Sequence, residues 1–166
     1  MAEPYVLPDP TRTPAEHYAE LARVLASLMH AERDAMANAA NCAALLYHGL
    51  AELNWCGFYW FKDGGLVVGA FQGKPACVRI AMGRGVCGTA AAERRTVLVP
   101  DVHAFPGHIA CDAASRSEIV VPLLHGSRLL GVLDLDSPLP GRFTAADAAG
   151  LEALTRQLVA GSDWSD

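Results

Sequence analysis

Three cysteines in the middle of the chain, Cys77, Cys87 and Cys111, fall in segments rich in Gly, Pro, His, Asp and Ser. A free cysteine is ordinarily a small buried hydrophobe, so these positions ask for another explanation. Cys111 is the sharpest case, because "AFPGHIACDAASRSEIVVP" surrounds it with groups that hydrogen-bond and titrate. Redox chemistry would use all three thiols: a thiolate that attacks an oxidised centre becomes a sulfenic acid, and a second cysteine condenses with it to a disulfide. The attacking thiol must be accessible and held as thiolate by a helix N-terminus, a hydrogen-bond donor or a cation. Cys111 meets that requirement through His103, His108 and Arg116, all near it in sequence. Cys87, beside an expected helix start, competes for the same role.

Other chemistries fit the spacing less well. Structural zinc sites usually bring ligands in close pairs such as C-x₂₋₄-C. Here nine residues separate Cys77 from Cys87, and the one close soft pair is His108-x-x-Cys111, so no metal is expected. "GRGVCG" carries glycines, yet neither G-x-G-x-x-G nor G-x₄-G-K-[ST] stands in a βαβ pattern. Gly83, Gly85 and Gly88 are read as backbone freedom at a tight turn. A hydrolase built on Cys111 with His103 or His108 would leave two loop cysteines without a role. Three incidental buried thiols remain the plain alternative.

Carboxylates form a second constellation. Asp134 and Asp136 in "LLGVLDLDSP" are two residues apart, so on a strand both point to one face while Leu133 and Leu135 point to the other. Two acids at the end of an apolar strand are costly unless solvated or paired. A solvated strand end and a ligand site are both open readings. Glu118 begins the expected partner strand and would lie on the same side. Three acids around one cavity would suit a cationic group such as an amino acid's ammonium, and like charges raise one another's pKa. Trp55 and Tyr59 are candidates to wall such a cavity, whereas Trp60 reads as core.

The elements that must position these groups follow from periodicity. Residues 1–12 carry three prolines and read as an irregular arm. Thr13-Pro14-Ala15-Glu16 supplies an N-cap, a first-turn Pro and a capping-box Glu, and Leu21, Val24, Leu25 and Leu28 follow at helical spacing. A second helical stripe is expected through Ala35, Asn38, Ala39, Cys42, Leu45, Leu46 and Leu53, which makes Cys42 a packing residue. "WCGFYWF", the turn "KDGG" and "LVVGAF" predict a hairpin. "ACVRIAM" and "TVLVP" read as short strands, with "GRGVCGTAAAE" between them as a glycine-rich turn entering a helix. "SEIVVPLL", "HGSR" and "LLGVLDLDS" predict another hairpin, and Thr144-x-x-Asp147 opens a closing helix through Leu151, Leu154 and Leu158. Helices at both ends with strands between them predict an α+β fold, a central antiparallel sheet with the N- and C-terminal helices packed against it.

Composition bounds the partners. The 166 residues, 52% hydrophobic and 19% charged, suit one folded domain. A net charge of −5 argues against a nucleic-acid footprint, and Arg94-Arg95 reads as a solvated turn. No signal peptide is apparent and no apolar run reaches the roughly 18 residues of a membrane span, so no membrane partner and a cytoplasmic location are expected. Five cysteines in a reducing cytosol favour catalytic or metal roles over permanent disulfides.

"NWCGFYW", "GAFQGKPACVRIAMGRGVCGTAAA", "LVPDVHAFPGHIACDAASRSEIVVPL" and "GVLDLDSP" resemble the free-methionine-(R)-sulfoxide reductases, which are built on a GAF domain. The likeness runs from about Asn54 to Pro138, and residues 13–166 would form that domain. The resemblance implies a thioredoxin-dependent reductase of free L-methionine (R)-sulfoxide without metal or organic cofactor. It implies Cys111 as nucleophile and Cys77 as resolving partner, with Cys87 a second resolver or, in some members, the nucleophile. Glu118, Asp134 and Asp136 match the acids that hold substrate and assist proton transfer, and Trp55 matches a pocket aromatic. Cys56 departs from the pattern, where an aliphatic residue is usual, and reads as a small hydrophobe. A GAF-type ligand-binding or thiol redox-sensor domain without turnover is the alternative. A homodimer is compatible with this reading, although composition does not determine oligomeric state.

Overall fold

Thr13 accepts the Glu16 backbone N–H while the Glu16 carboxylate accepts the Thr13 N–H, closing the capping box that starts helix α1, Pro14–Leu28. Asp34 caps α2, Ala35–Gly49, and Thr144 with Asp147 caps α4, Ala145–Gly161. Caps of this kind are each worth about 1 kcal/mol. Between these helices lie β1 Trp55–Lys62, β2 Gly65–Gly73, β3 Arg79–Ala81, helix α3 Gly85–Glu93, β4 Val97–Val99, β5 Ser117–His125 and β6 Arg128–Ser137. The computed structural model describes residues 6–165. Residues 1–5 of the expected arm and residue 166 lie outside the described residues, and Val6 is already buried in the core. No helix among the described residues is long and apolar enough to cross a membrane.

The six strands form one antiparallel sheet in the order β3-β2-β1-β6-β5-β4. Strand alternation sorts its side chains between two cores. Cys56, Phe58 and Trp60 of β1, Ile119, Val121 and Leu123 of β5, and Leu133 and Leu135 of β6 face α1, α2 and α4. Trp55 and Tyr59 of β1, Val120 of β5 and Val132 of β6 face the other way, against Val86, Cys87, Ala90 and Ala91 of α3. A one-residue slip in register would exchange these sets.

Two expectations need correction. Leu53 does not continue the α2 stripe: the helix ends at Gly49, and Leu53 packs against the core from the connection to β1. Gly49 is required there, since a Cβ would lie 2.7 Å from a Leu21 methyl and 3.0 Å from the Val6 carbonyl. The strand expected in "ACVRIAM" is only Arg79–Ala81. Pro75 has no N–H to give a ladder, and the Cys77 carbonyl accepts from the Tyr59 hydroxyl at 3.1 Å instead. Cys77 therefore sits on a loop.

Candidate active site

On the α3 side of the sheet a cavity is lined by β1, β5, β6, α3 and two loops. Strand register builds its floor. Glu118 of β5 stands opposite Asp136 of β6, Asp136 stands opposite Trp55 of β1, and Asp134 lies two residues along on the same face. The three acids therefore share one surface while Leu133 and Leu135 are buried in the helix-side core. Burial first, and repulsion among the three second, push all of their carboxyls well above the ordinary range. One Asp134 carboxylate oxygen is buried without a hydrogen-bond partner.

Cys87 is the third residue of α3, whose start turns through Gly85 at φ +60°. Its Sγ lies 4.0 Å from Glu118 Oε1. A helix N-terminus would lower a thiol's pKa, but burial, reinforced by the Asp134 and Glu118 charges, drives that of Cys87 well up. Cys87, expected to compete with Cys111 from its place near a helix start, is buried. Donor atoms of Cys87, Glu118 and Asp134 lie within 4.8 Å of one another, close enough to share a single cationic group.

The other two cysteines meet at the cavity. Cys77, on the β2–β3 loop, and Cys111, on the loop before β5, are joined in a disulfide with 5.8 Å between their Cα atoms. Cys111 is exposed, Cys77 is half-buried, and both carrier loops are pinned to the sheet. Trp55 Nε1 donates to the Lys74 carbonyl at 3.1 Å, and the indole stacks on Tyr59 and Phe71. Asn54 Nδ2 donates to Asp112 at 3.2 Å and to Ser115 at 3.0 Å. Lys74 Nζ pairs with Asp112 at 3.5 Å, tying one cysteine's loop to the other's. Ser115 also hydrogen-bonds Asp136 and partly offsets the upward shift of that acid.

Of the groups expected around Cys111, His108 lines the cavity, with Nε2 3.3 Å from Glu118 Oε2. Burial lowers its pKa, so the contact joins a neutral imidazole to a carboxyl group. His103 and Arg116 are exposed and lie outside the cavity, because the short 3₁₀ turn Val102–Ala104 and the entry to β5 direct them to solvent. Sequence reasoning missed Asn54, Lys74, Asp112 and Ser115, and also Arg84, the residue before α3, which lines the mouth. The positions of Asn54 beside Trp55 and Asp112 beside Cys111 were the available signals.

Residues 14–160 match the GAF domain family. The chain is 54% identical over 143 residues to the free methionine-R-sulfoxide reductase of Escherichia coli, covering 86% of this chain and 87% of that protein. It is 42% identical over 127 residues to the free methionine-R-sulfoxide reductase of Saccharomyces cerevisiae, covering 72% and 71%. The X-ray structure of free methionine-R-sulfoxide reductase from Neisseria meningitidis in complex with its substrate superposes with a TM-score of 0.88 at 43% identity, covering 95% of each chain. With a disulfide-forming cysteine pair at a cavity floored by acids on the same fold, the chain belongs to the GAF-domain free methionine-R-sulfoxide reductase family.

Proposed function

We propose that this chain reduces free L-methionine (R)-S-oxide to L-methionine. The observation that carries the reading is the meeting of Cys77 and Cys111 at the mouth of a cavity whose floor holds Glu118, Asp134 and Asp136. The substrate ammonium is bound by Asp134 and Asp136, which supplies the charge missing beside two buried acids. The Cys111 thiolate attacks the sulfoxide sulfur. Glu118, held protonated by burial, gives its proton to the departing oxygen as general acid. Trp55 presents its electron-rich face to the positive charge developing on sulfur, and Tyr59 holds the Cys77 loop as a second wall.

Oxygen passes to Cys111 as a sulfenic acid and methionine leaves. The Cys77 thiol then attacks the Cys111 sulfur, forming the disulfide and releasing water. A thioredoxin-type dithiol reduces that disulfide and restores both thiols. Cys87, buried and protonated, acts on Glu118 and the ligand rather than as the first nucleophile. No metal or organic cofactor takes part in this scheme, and the reducing cytoplasm suits a pair that must return to thiols.

The test is turnover with free (R)- and (S)-sulfoxide in the presence of thioredoxin. Continuous consumption of reductant with the free (R)-epimer is expected. A protein that oxidised once and stopped would be a thiol sensor, and the catalytic reading would fail.

A further inference from the structure

The scheme above requires a proton to leave one residue of the cavity and reach another. Cys111 loses a proton on becoming a thiolate, and Glu118 gives one to the sulfoxide oxygen. Atoms balance without any outside acid: Cys111 thiol plus sulfoxide yields Cys111 sulfenic acid plus methionine. The proton lost at Cys111 therefore equals the proton needed to restore Glu118.

His108 shares the cavity with both. It lies three residues before Cys111 on the same loop, lines the same cavity, and brings Nε2 to 3.3 Å from Glu118 Oε2. Its side chain is 13% exposed against 8% for Glu118, so the imidazole is slightly the more accessible of the two. Around it, β5 contributes Glu118, β6 contributes Asp134 and Asp136, α3 contributes Cys87, and Arg84 and Lys74 stand at the rim. Cys87 and Asp134 are buried as deeply as Glu118. Asp136 is partly accessible, but in this reading the substrate ammonium occupies it. An imidazole can accept a proton at one ring nitrogen and release one from the other, and its ordinary pKa lies near neutrality.

We propose that His108 is the proton carrier of this site, taking the proton that Cys111 gives up and delivering it to Glu118. The inference rests on the reductase reading, but half of it is measurable without any sulfoxide. In a Cys77→Ser background, the reduced protein is treated with iodoacetamide at pH 7 and Cys111 alkylation is timed. His108→Gln keeps a hydrogen-bond donor near Glu118 but cannot carry a proton, and alkylation should slow about tenfold. Imidazole added to His108→Ala should restore it. With sulfoxide, single-turnover methionine release by His108→Gln should fall about 100-fold, the usual scale of general acid–base assistance, with KM little changed. Alkylation and single-turnover rates within threefold of the parent protein, in a variant that melts normally, would overturn the assignment. So would an absence of imidazole rescue in folded His108→Ala. A parent chain inactive on sulfoxide would instead sink the reductase reading, while the alkylation result still decides whether His108 accepts the Cys111 proton.

Discussion

The two faces of the sheet follow one alternation and end with opposite chemistry. Toward α1, α2 and α4 the strands present Phe58, Ile119, Val121, Leu133 and Leu135, and the two thiols on that side, Cys42 and Cys56, are sealed among them. Toward α3 the neighbouring positions of the same strands present Glu118, Asp134 and Asp136, with the thiol of Cys87 against them. Burial raises the pKa of Cys42, Cys56 and Cys87 alike. What separates the faces is therefore the cluster of buried acids. The helix side is packed mainly with apolar side chains, whereas the cavity side keeps three buried acids and an unpartnered Asp134 oxygen with no buried cation among its lining residues. Such a surface is unfavourable until a cationic ligand fills it. Stability resides on one face and chemistry on the other.

That contrast is broken most directly through the thiols. Cys111→Ser should abolish methionine release even in one turnover, while Cys42→Ser and Cys56→Ser lower the melting temperature but leave turnover per folded molecule intact. Release of one methionine per chain by Cys111→Ser, with none from Cys87→Ser, would move the nucleophile to the buried thiol. Next in size is the ammonium. Acetylating the substrate nitrogen leaves the buried acids unpaired, and kcat/KM should drop by roughly 10⁴–10⁵-fold. A ratio near one would refute ammonium recognition, and Asp136→Asn should show a smaller loss with the free substrate.

Cys77→Ser sharpens the distinction between attack and resolution. One equivalent of methionine should still form, since the first step needs only Cys111, and steady turnover with thioredoxin should then collapse. Undiminished steady turnover would assign resolution to Cys87.

A stability measurement tests the faces themselves. Leu135→Ala should destabilise by about 2–5 kcal/mol, the range for emptying a packed core site, as read from denaturant unfolding. Glu118→Gln should cost far less or raise stability. The pH dependence supplies the smallest effect. Acids whose pKa is raised in the folded state bind more protons there than when unfolded, so their stabilising protonation is complete below about pH 4, near the unfolded carboxyl value. Stability in the absence of substrate should decline as pH rises from there toward the folded values of Glu118, Asp134 and Asp136. Glu118→Gln should flatten that decline, and an unchanged slope would mean that Glu118 is not shifted upward.

Local rules made much of this molecule legible in its sequence. Period two along "LLGVLDLDSP" already puts Asp134 and Asp136 on one face, and a hairpin partner puts Glu118 beside them, because side-chain direction on a strand depends only on position. Capping at Thr13 and Thr144 is similarly a matter of a few adjacent residues. Tertiary packing decided the rest. Cys87 sits at a helix start that would favour a thiolate, yet burial, reinforced by acids from β5 and β6 more than thirty residues away in the chain, raises its pKa. His103 and His108 are equivalent candidates in sequence, and only the path of the loop turns one into the cavity and the other to water. The latch of Asn54, Lys74, Asp112 and Ser115 joins three segments that no local pattern relates. Residue type and alternation thus determined which groups could do chemistry. Which of them are charged, paired or exposed depends on fields and contacts that exist only when distant segments meet.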